Sequence, residues 1–318
     1  MSVSRRDFVQ AAAVLAASTV GARTAGTTSA GHADSAPARP QEASEAASSH
    51  STAPGTDHSA IATLRGRIKQ SASRWCYQQI PLPALCDAGK AMGLSGIDLL
   101  QQSEWDVVRD KGLVVTMGYA ADRRDFLRNG FTNRASHAML LKELEQALPV
   151  AKAKGVPNLI AMFGNRDGRS DSEAITTSIE GLKQIAPLAE ESGVTICVEL
   201  LNSIVDHKGY HGDHTAFGVE VMTGVNSPRV KLLYDIYHMQ IMEGNVIATI
   251  QRHAKHIGHV HTGGVPGRHE IDDTQELNWR AVMTALATAG YAGYVAHEFI
   301  PTRDPLTSLR EAVALCDV

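Results

Sequence analysis

From about residue 61 onward the chain repeats one pattern: a short apolar run, a polar break, then a longer stretch with helical apolar spacing. The short runs predict strands over 69–77, 96–100, 113–119, 158–164, 195–201, 230–236, 256–263 and 294–299. The longer stretches predict helices over 81–93, 136–155, 171–193, 215–225, 240–255, 278–290 and 306–315. Gly155, Gly193 and Gly290 stand where helix ends need a left-handed residue before the next strand. Strands that alternate with helices pair in parallel through crossovers. Eight such units over residues 61–318 fit a single α/β (β/α)₈ TIM barrel, a fold of typically ~250 residues. An open doubly wound sheet is the main alternative, and no glycine-rich dinucleotide loop after the early strands supports it.

The first 60 residues break the pattern. "SRRDFVQ" (4–10) pairs Arg5 with Arg6 ahead of Phe8, and the weakly apolar "AAAVLAASTV" (11–20) comes next. This order is that of a twin-arginine (Tat) export signal, assigned to residues 1–25. The apolar run is too short to span a bilayer, so no permanent membrane anchor is expected. Residues 26–60, rich in Ala, Ser, Thr, Gly, Pro and His, lack an apolar period and read as a disordered linker. The reading is an exported, periplasmic or otherwise extracytoplasmic protein that engages the Tat machinery. Its catalytic barrel occupies 61–318.

Composition narrows the classes further. Apolar residues make up 43% and charged residues 20%, and the formal net charge of −4 argues against a nucleic-acid partner. The four cysteines, Cys76, Cys86, Cys197 and Cys316, are scattered without a CxxC, which argues against a disulfide framework or Cys-rich zinc site. Assembly with copies of itself stays compatible with the sequence.

The polar exceptions within the apolar runs carry the chemistry. Glu199 lies in "TICVELL", Asp235 ends "KLLYD", His261 lies in "GHVHTGG" and Glu298 comes after "VAH". Taken singly, each acid has the bland reading of a helix cap or ion-pair partner, and the histidine that of a hydrogen-bonded core residue. Four on successive strands, however, would gather at the C-terminal rim where barrels of this kind keep their reactive groups. Three carboxylates buried together repel unless a cation shares their charge. Three carboxylate oxygens and an imidazole nitrogen suit one divalent ion: Mn²⁺, Mg²⁺, Co²⁺ or Zn²⁺.

Four segments, "VELLNS" (198–203), "YDIYHMQIMEG" (234–244), "GHVHTGGVPGRHE" (258–270) and "HEFIP" (297–301), resemble the hydroxypyruvate isomerase family of xylose isomerase-like barrels. The resemblance spans most of 68–304. It implies that Glu199, Asp235, His261 and Glu298 hold the metal and that Glu199 and Glu298 form the acid/base pair. His238 and Arg268 would face the substrate, a small hydroxy-keto acid or sugar. Arg268 would then pair with a substrate carboxylate, although Glu270 and Asp272 are nearer partners in sequence. Two departures stand out. His261 replaces the Gln of many hydroxypyruvate isomerases and matches the ketose 3-epimerases, whereas Val205 stands where those epimerases carry another Glu. The loop 202–214 carries a His- and Lys-bearing insert.

Past the fourth strand, Asn165 and Arg166 are further candidates for substrate contact, as are His207 and Lys208 in the loop. Trp75 and Tyr77 are candidates for an apolar wall, and His253, His256 and His259 for structural roles. The expected activity is aldose–ketose isomerisation of the hydroxypyruvate type by enediol proton transfer between two Glu residues. A 3-epimerase or related sugar or cyclitol enzyme is the alternative within catalysis. A sugar-acid- or metal-binding barrel is the alternative outside it.

Overall fold

The apolar runs become nine parallel strand segments in the computed structural model, which describes residues 64–318 apart from Arg124. The predicted signal (1–25) and linker (26–60) lie outside the described residues. The segments are β1 (Lys69–Ser73), β2 (Gly96–Asp98), β3 (Val114–Val115), β4 (Gly118–Tyr119) and β5 (Asn158–Met162). After them come β6 (Thr195–Leu200), β7 (Val230–Asp235), β8 (Ile257–Thr262) and β9 (Tyr294–His297). Their order is β3-β2-β1-β9-β8-β7-β6-β5-β4. The ring closes because β3 and β4 are two halves of one stave bent at Thr116 and Met117. Ile97 accepts from the Thr116 amide at 2.9 Å, Met117 from the Leu100 amide at 3.2 Å and Leu100 from the Tyr119 amide at 3.1 Å. Nine segments therefore make the eight predicted staves, and the fold is a (β/α)₈ TIM barrel. Close packing fixes the bent stave: a Cβ on Gly118 would lie 2.4 Å from the Trp105 ring.

The helices wrap the staves as their apolar spacing requires. They are α1 (Leu82–Ala91), α2 (Trp105–Asp110), α3 (His137–Lys154), α4 (Asp171–Ser192), α5 (Thr215–Val225), α6 (Ile236–Met242), α7 (Val246–His253), α8 (Trp279–Thr288) and α9 (Pro305–Cys316). In α4, Ala174, Ser178, Gly181, Leu182, Ile185 and Ala189 form the buried stripe, Ser170 caps the first turn and Gly193 ends it at φ +73. Among the described residues no helix is long and apolar enough to cross a membrane.

Three expectations are corrected. The first strand stops at Ser73, and Arg74–Tyr77 coil into a 3₁₀ turn that carries Trp75 over the barrel mouth. The short helix α2 was not foreseen between 100 and 113. The helix expected over 240–255 is split, because Asn245 takes a left-handed φ of +48 between α6 and α7. Its first part starts at Ile236, directly after β7, since the Asp235 Oδ1 atom accepts from the His238 amide at 3.3 Å and caps it.

Candidate metal and substrate site

Strand ends bring the four acidic and imidazole groups together. Asp235 pairs in register with His261 across β7 and β8, Glu199 is one position from the end of β6, and Glu298 comes immediately after β9. Glu199 and Glu298 are about 5% exposed or less, and Asp235 and His261 are fully buried. One ligand atom from each lies within 4.8 Å of the others. The Nδ1 atom of His261 sits 2.6 Å from Glu298 Oε2 and 3.5 Å from Glu199 Oε1, yet it makes no well-formed hydrogen bond. A buried, unbonded imidazole nitrogen facing three carboxylates fits a hard or borderline divalent cation.

The electrostatics record the crowding. Burial, with the charge of Glu298 adding to it, pushes the Glu199 carboxyl up. Burial likewise pushes Asp235 up to about 7, despite the opposing charge of Arg268. Burial works in the same direction on Glu298, but Arg268 and His261 outweigh it and hold that carboxyl down at about 2.

Arg268 reaches this cluster from the loop after β8, where its φ of +57 turns the side chain back over the barrel. Its Nη2 donates to Asp235 Oδ2 at 2.9 Å and Glu298 Oε2 at 2.5 Å, and its Nε donates to the Glu298 carbonyl at 3.1 Å. The guanidinium also lies 5.5 Å from the Trp75 ring centre and 5.1 Å from that of Tyr237. Its sequence neighbours are not its partners. Glu270 instead accepts from Thr302 and Ser308, and Asp272 from Arg303.

His238 has its proton placed by its neighbour Asn202. The Oδ1 atom of Asn202 accepts from the Val205 and Asp206 amides, both at 2.9 Å, which fixes the side-chain amide. Its Nδ2 then donates to His238 Nδ1 at 2.7 Å. Burial and the nearby Arg268 charge hold the ring well below its usual pKa, so it is neutral and carries its proton on Nε2. That N–H faces Arg268 Nη1 at 3.0 Å.

The cluster thus gathers Glu199, Asp235, His261, Glu298, His238 and Arg268. The His207 ring centre lies 5.3 Å from that of His238, with the two planes tilted by 60°. Asn165 is half-buried and occupied through its backbone with Arg128, Arg169 and Tyr210. Lys208 is exposed and has no ion-pair partner within the described residues. Trp75, expected as an apolar wall, donates through Nε1 to Glu298 Oε1 at 2.5 Å. Sequence reasoning missed Asn202 and Asp98. Asp98 accepts from His261 Nε2 at 3.0 Å on the side away from the carboxylates. The available signal for Asp98 is an acid inside the apolar run "GIDLL" (96–100).

A parallel barrel with three carboxylates and an imidazole on consecutive staves at its C-terminal rim defines a class of enzyme-like scaffolds. The sequence profile described as xylose isomerase-like TIM barrel matches residues 106–317, and the chain belongs to that family. A mouse protein named putative hydroxypyruvate isomerase is 28% identical over 261 residues, covering 80% of this chain and 88% of the relative. A 2-oxo-tetronate isomerase of Cupriavidus necator is 35% identical over 157 residues, covering 49% and 60%. The crystal structure of 3-keto-D-glucoside 4-epimerase YcjR from E. coli superposes with a TM-score of 0.64 at 20% identity, covering 78% of this chain and 98% of the other. That likeness is one of fold.

Proposed function

We propose that this protein is a metal-dependent aldose–ketose isomerase acting on a short hydroxy-keto acid, of the kind that interconverts hydroxypyruvate and tartronate semialdehyde. The observation that carries the reading is a buried set of three carboxylates and an imidazole at the C-terminal rim, with Arg268 and His238 beside it, Nη1 and Nε2 3.0 Å apart. The names of the mouse and C. necator relatives support the same substrate class.

Glu199, Asp235, His261 and Glu298 would hold the cation. Once bound, it would supply positive charge to the substrate carbonyl and the neighbouring hydroxyl as negative charge develops. Arg268 would meet the substrate carboxylate through Nη1, the guanidinium nitrogen not committed to Asp235 or Glu298, with His238 beside it. One of the two glutamates, as carboxylate, removes a proton from the hydroxyl-bearing carbon, giving an enediolate. The other returns a proton to the former carbonyl carbon, while the hydroxyl proton moves to the new hydroxyl. Trp75, Tyr237 and Arg268 cover the mouth and limit water around these transfers.

Against the epimerase alternative stands Val205, an exposed apolar residue where those epimerases carry a further substrate-contacting Glu. We also propose export by the twin-arginine route, on the strength of Arg5, Arg6 and Phe8.

The test is exchange of substrate carbon-bound hydrogen with heavy water, using Mn²⁺-loaded protein and hydroxypyruvate. Glu199→Gln and Glu298→Gln are each expected to slow exchange by about 10²–10⁴-fold. Unchanged exchange in both variants would rule out the two-glutamate reading.

A further inference from the structure

The four-residue ligand set accounts for one nitrogen of His261; the other leads into a second buried group. The Oδ2 atom of Asp98 faces His261 Nε2 at 3.0 Å. Its Oδ1 accepts from Thr116 Oγ1 at 2.5 Å and lies 3.1 Å from His259 Nε2. Thr116 Oγ1 in turn meets Ser71 Oγ at 3.0 Å. Asp98, Thr116, Ser71, His259 and His261 are all fully buried, so water does not compete for these bonds. The group draws on β1, β2, the bent third stave and β8. It therefore joins the half of the barrel that provides no metal ligand to the half that provides all four.

An imidazole can offer a lone pair to a cation from only one nitrogen, and the hydrogen bond at the other decides which. Here the Nε2 proton of His261 is taken by a carboxylate. The Nδ1 lone pair is thereby turned toward Glu199 and Glu298. Thr116 fixes one carboxylate oxygen and leaves the other for His261. Immediately beyond, Leu99 takes a φ of +53, an unfavourable conformation for leucine, before Leu100 pairs with the second half of the bent stave.

We infer that Asp98 is a positioning residue for the metal centre, holding the His261 ring in the tautomer and orientation that present Nδ1 to the cation, with Thr116 fixing Asp98 in turn. This rests on the metal-site part of the proposed function and is independent of the substrate.

The experiment is a titration of full-length, metal-stripped protein with Mn²⁺, monitored by calorimetry, together with circular dichroism of each metal-free sample. Asp98→Asn keeps the shape and removes the charge. It is expected to weaken Mn²⁺ binding by about 10–100-fold while the metal-free spectrum stays that of the wild type. Thr116→Val, one bond further out, is expected to weaken it by roughly threefold or more. A merely structural Asp98 would lower the metal-free melting temperature and leave the affinity of the folded fraction unchanged. Folded Asp98→Asn protein that binds Mn²⁺ within about twofold of wild type overturns the inference. If that variant does not fold, unchanged affinity in Thr116→Val overturns it instead. Wild-type protein that binds no Mn²⁺ would overturn both this inference and the metal site. Normal Mn²⁺ affinity without hydrogen exchange would overturn the isomerase reading alone.

Discussion

Arg268 uses its three guanidinium nitrogens on different partners: Nε on the Glu298 carbonyl, Nη2 on two carboxylates and Nη1 toward His238. A lysine could supply the charge at that place but not the fork. Arg268→Lys is therefore expected to raise KM for a hydroxy-keto acid by about tenfold, and Arg268→Ala by up to about a hundredfold, the range set by charged hydrogen bonds. A neutral ketose of similar size should show little change in KM. Steady-state kinetics on both substrates makes the check, and equal losses on both would remove the carboxylate role. The position of Arg268 in the "VPGRHE" segment was legible through resemblance, but its partners were not. Glu270 and Asp272 are closer along the chain. The left-handed backbone at Arg268 sends its side chain the other way. Asp98 was hidden for a related reason: a three-residue strand gives no period from which to tell that its last side chain points inward.

Strand ends were the most legible elements, because an acid closing a run such as "KLLYD" contradicts its apolar surroundings. The turn out of each strand was harder to read, since one residue can serve two elements. Asp235 ends β7, caps α6 and faces the ligand cluster. Glu270 ties three pieces together in a similar way. Its carboxylate accepts from the Thr302 amide at 2.8 Å, the Thr302 hydroxyl at 2.8 Å and the Ser308 hydroxyl at 2.9 Å, joining the Arg268 loop to the start of α9. Burial raises its carboxyl, but these donors win and hold it down at about 2. The unfolded chain takes up this proton near its ordinary value of 4.5. The stability from this group is thus complete above that pH and is lost as pH falls from about 4.5 toward 2. Glu270→Gln should cost roughly 1–3 kcal/mol at pH 7. The difference between wild type and variant should shrink on acidification through that window. Urea unfolding at a series of pH values measures it, and a constant difference would show that the carboxylate charge is not involved.

At the scale of the whole molecule, the ligand set exists only once the ring has closed. Its members run from Glu199 to Glu298 along the chain, and Asp98 joins them from β2. An unfolded chain offers a cation only scattered carboxylates and imidazoles, so on the proposed reading any metal choice would be made by the folded barrel. A twin-arginine route carries folded cargo, which would let the barrel take its metal inside the cell before crossing. Replacing Arg5 and Arg6 by Lys is expected to leave folded, metal-competent protein in the cytoplasm, as read by cell fractionation and metal analysis of the purified protein. Directing the same barrel through a route for unfolded chains should instead deliver protein whose metal reflects the external supply. Export of the double-lysine variant at the wild-type level would refute the signal, and identical metal content by both routes would refute loading before export.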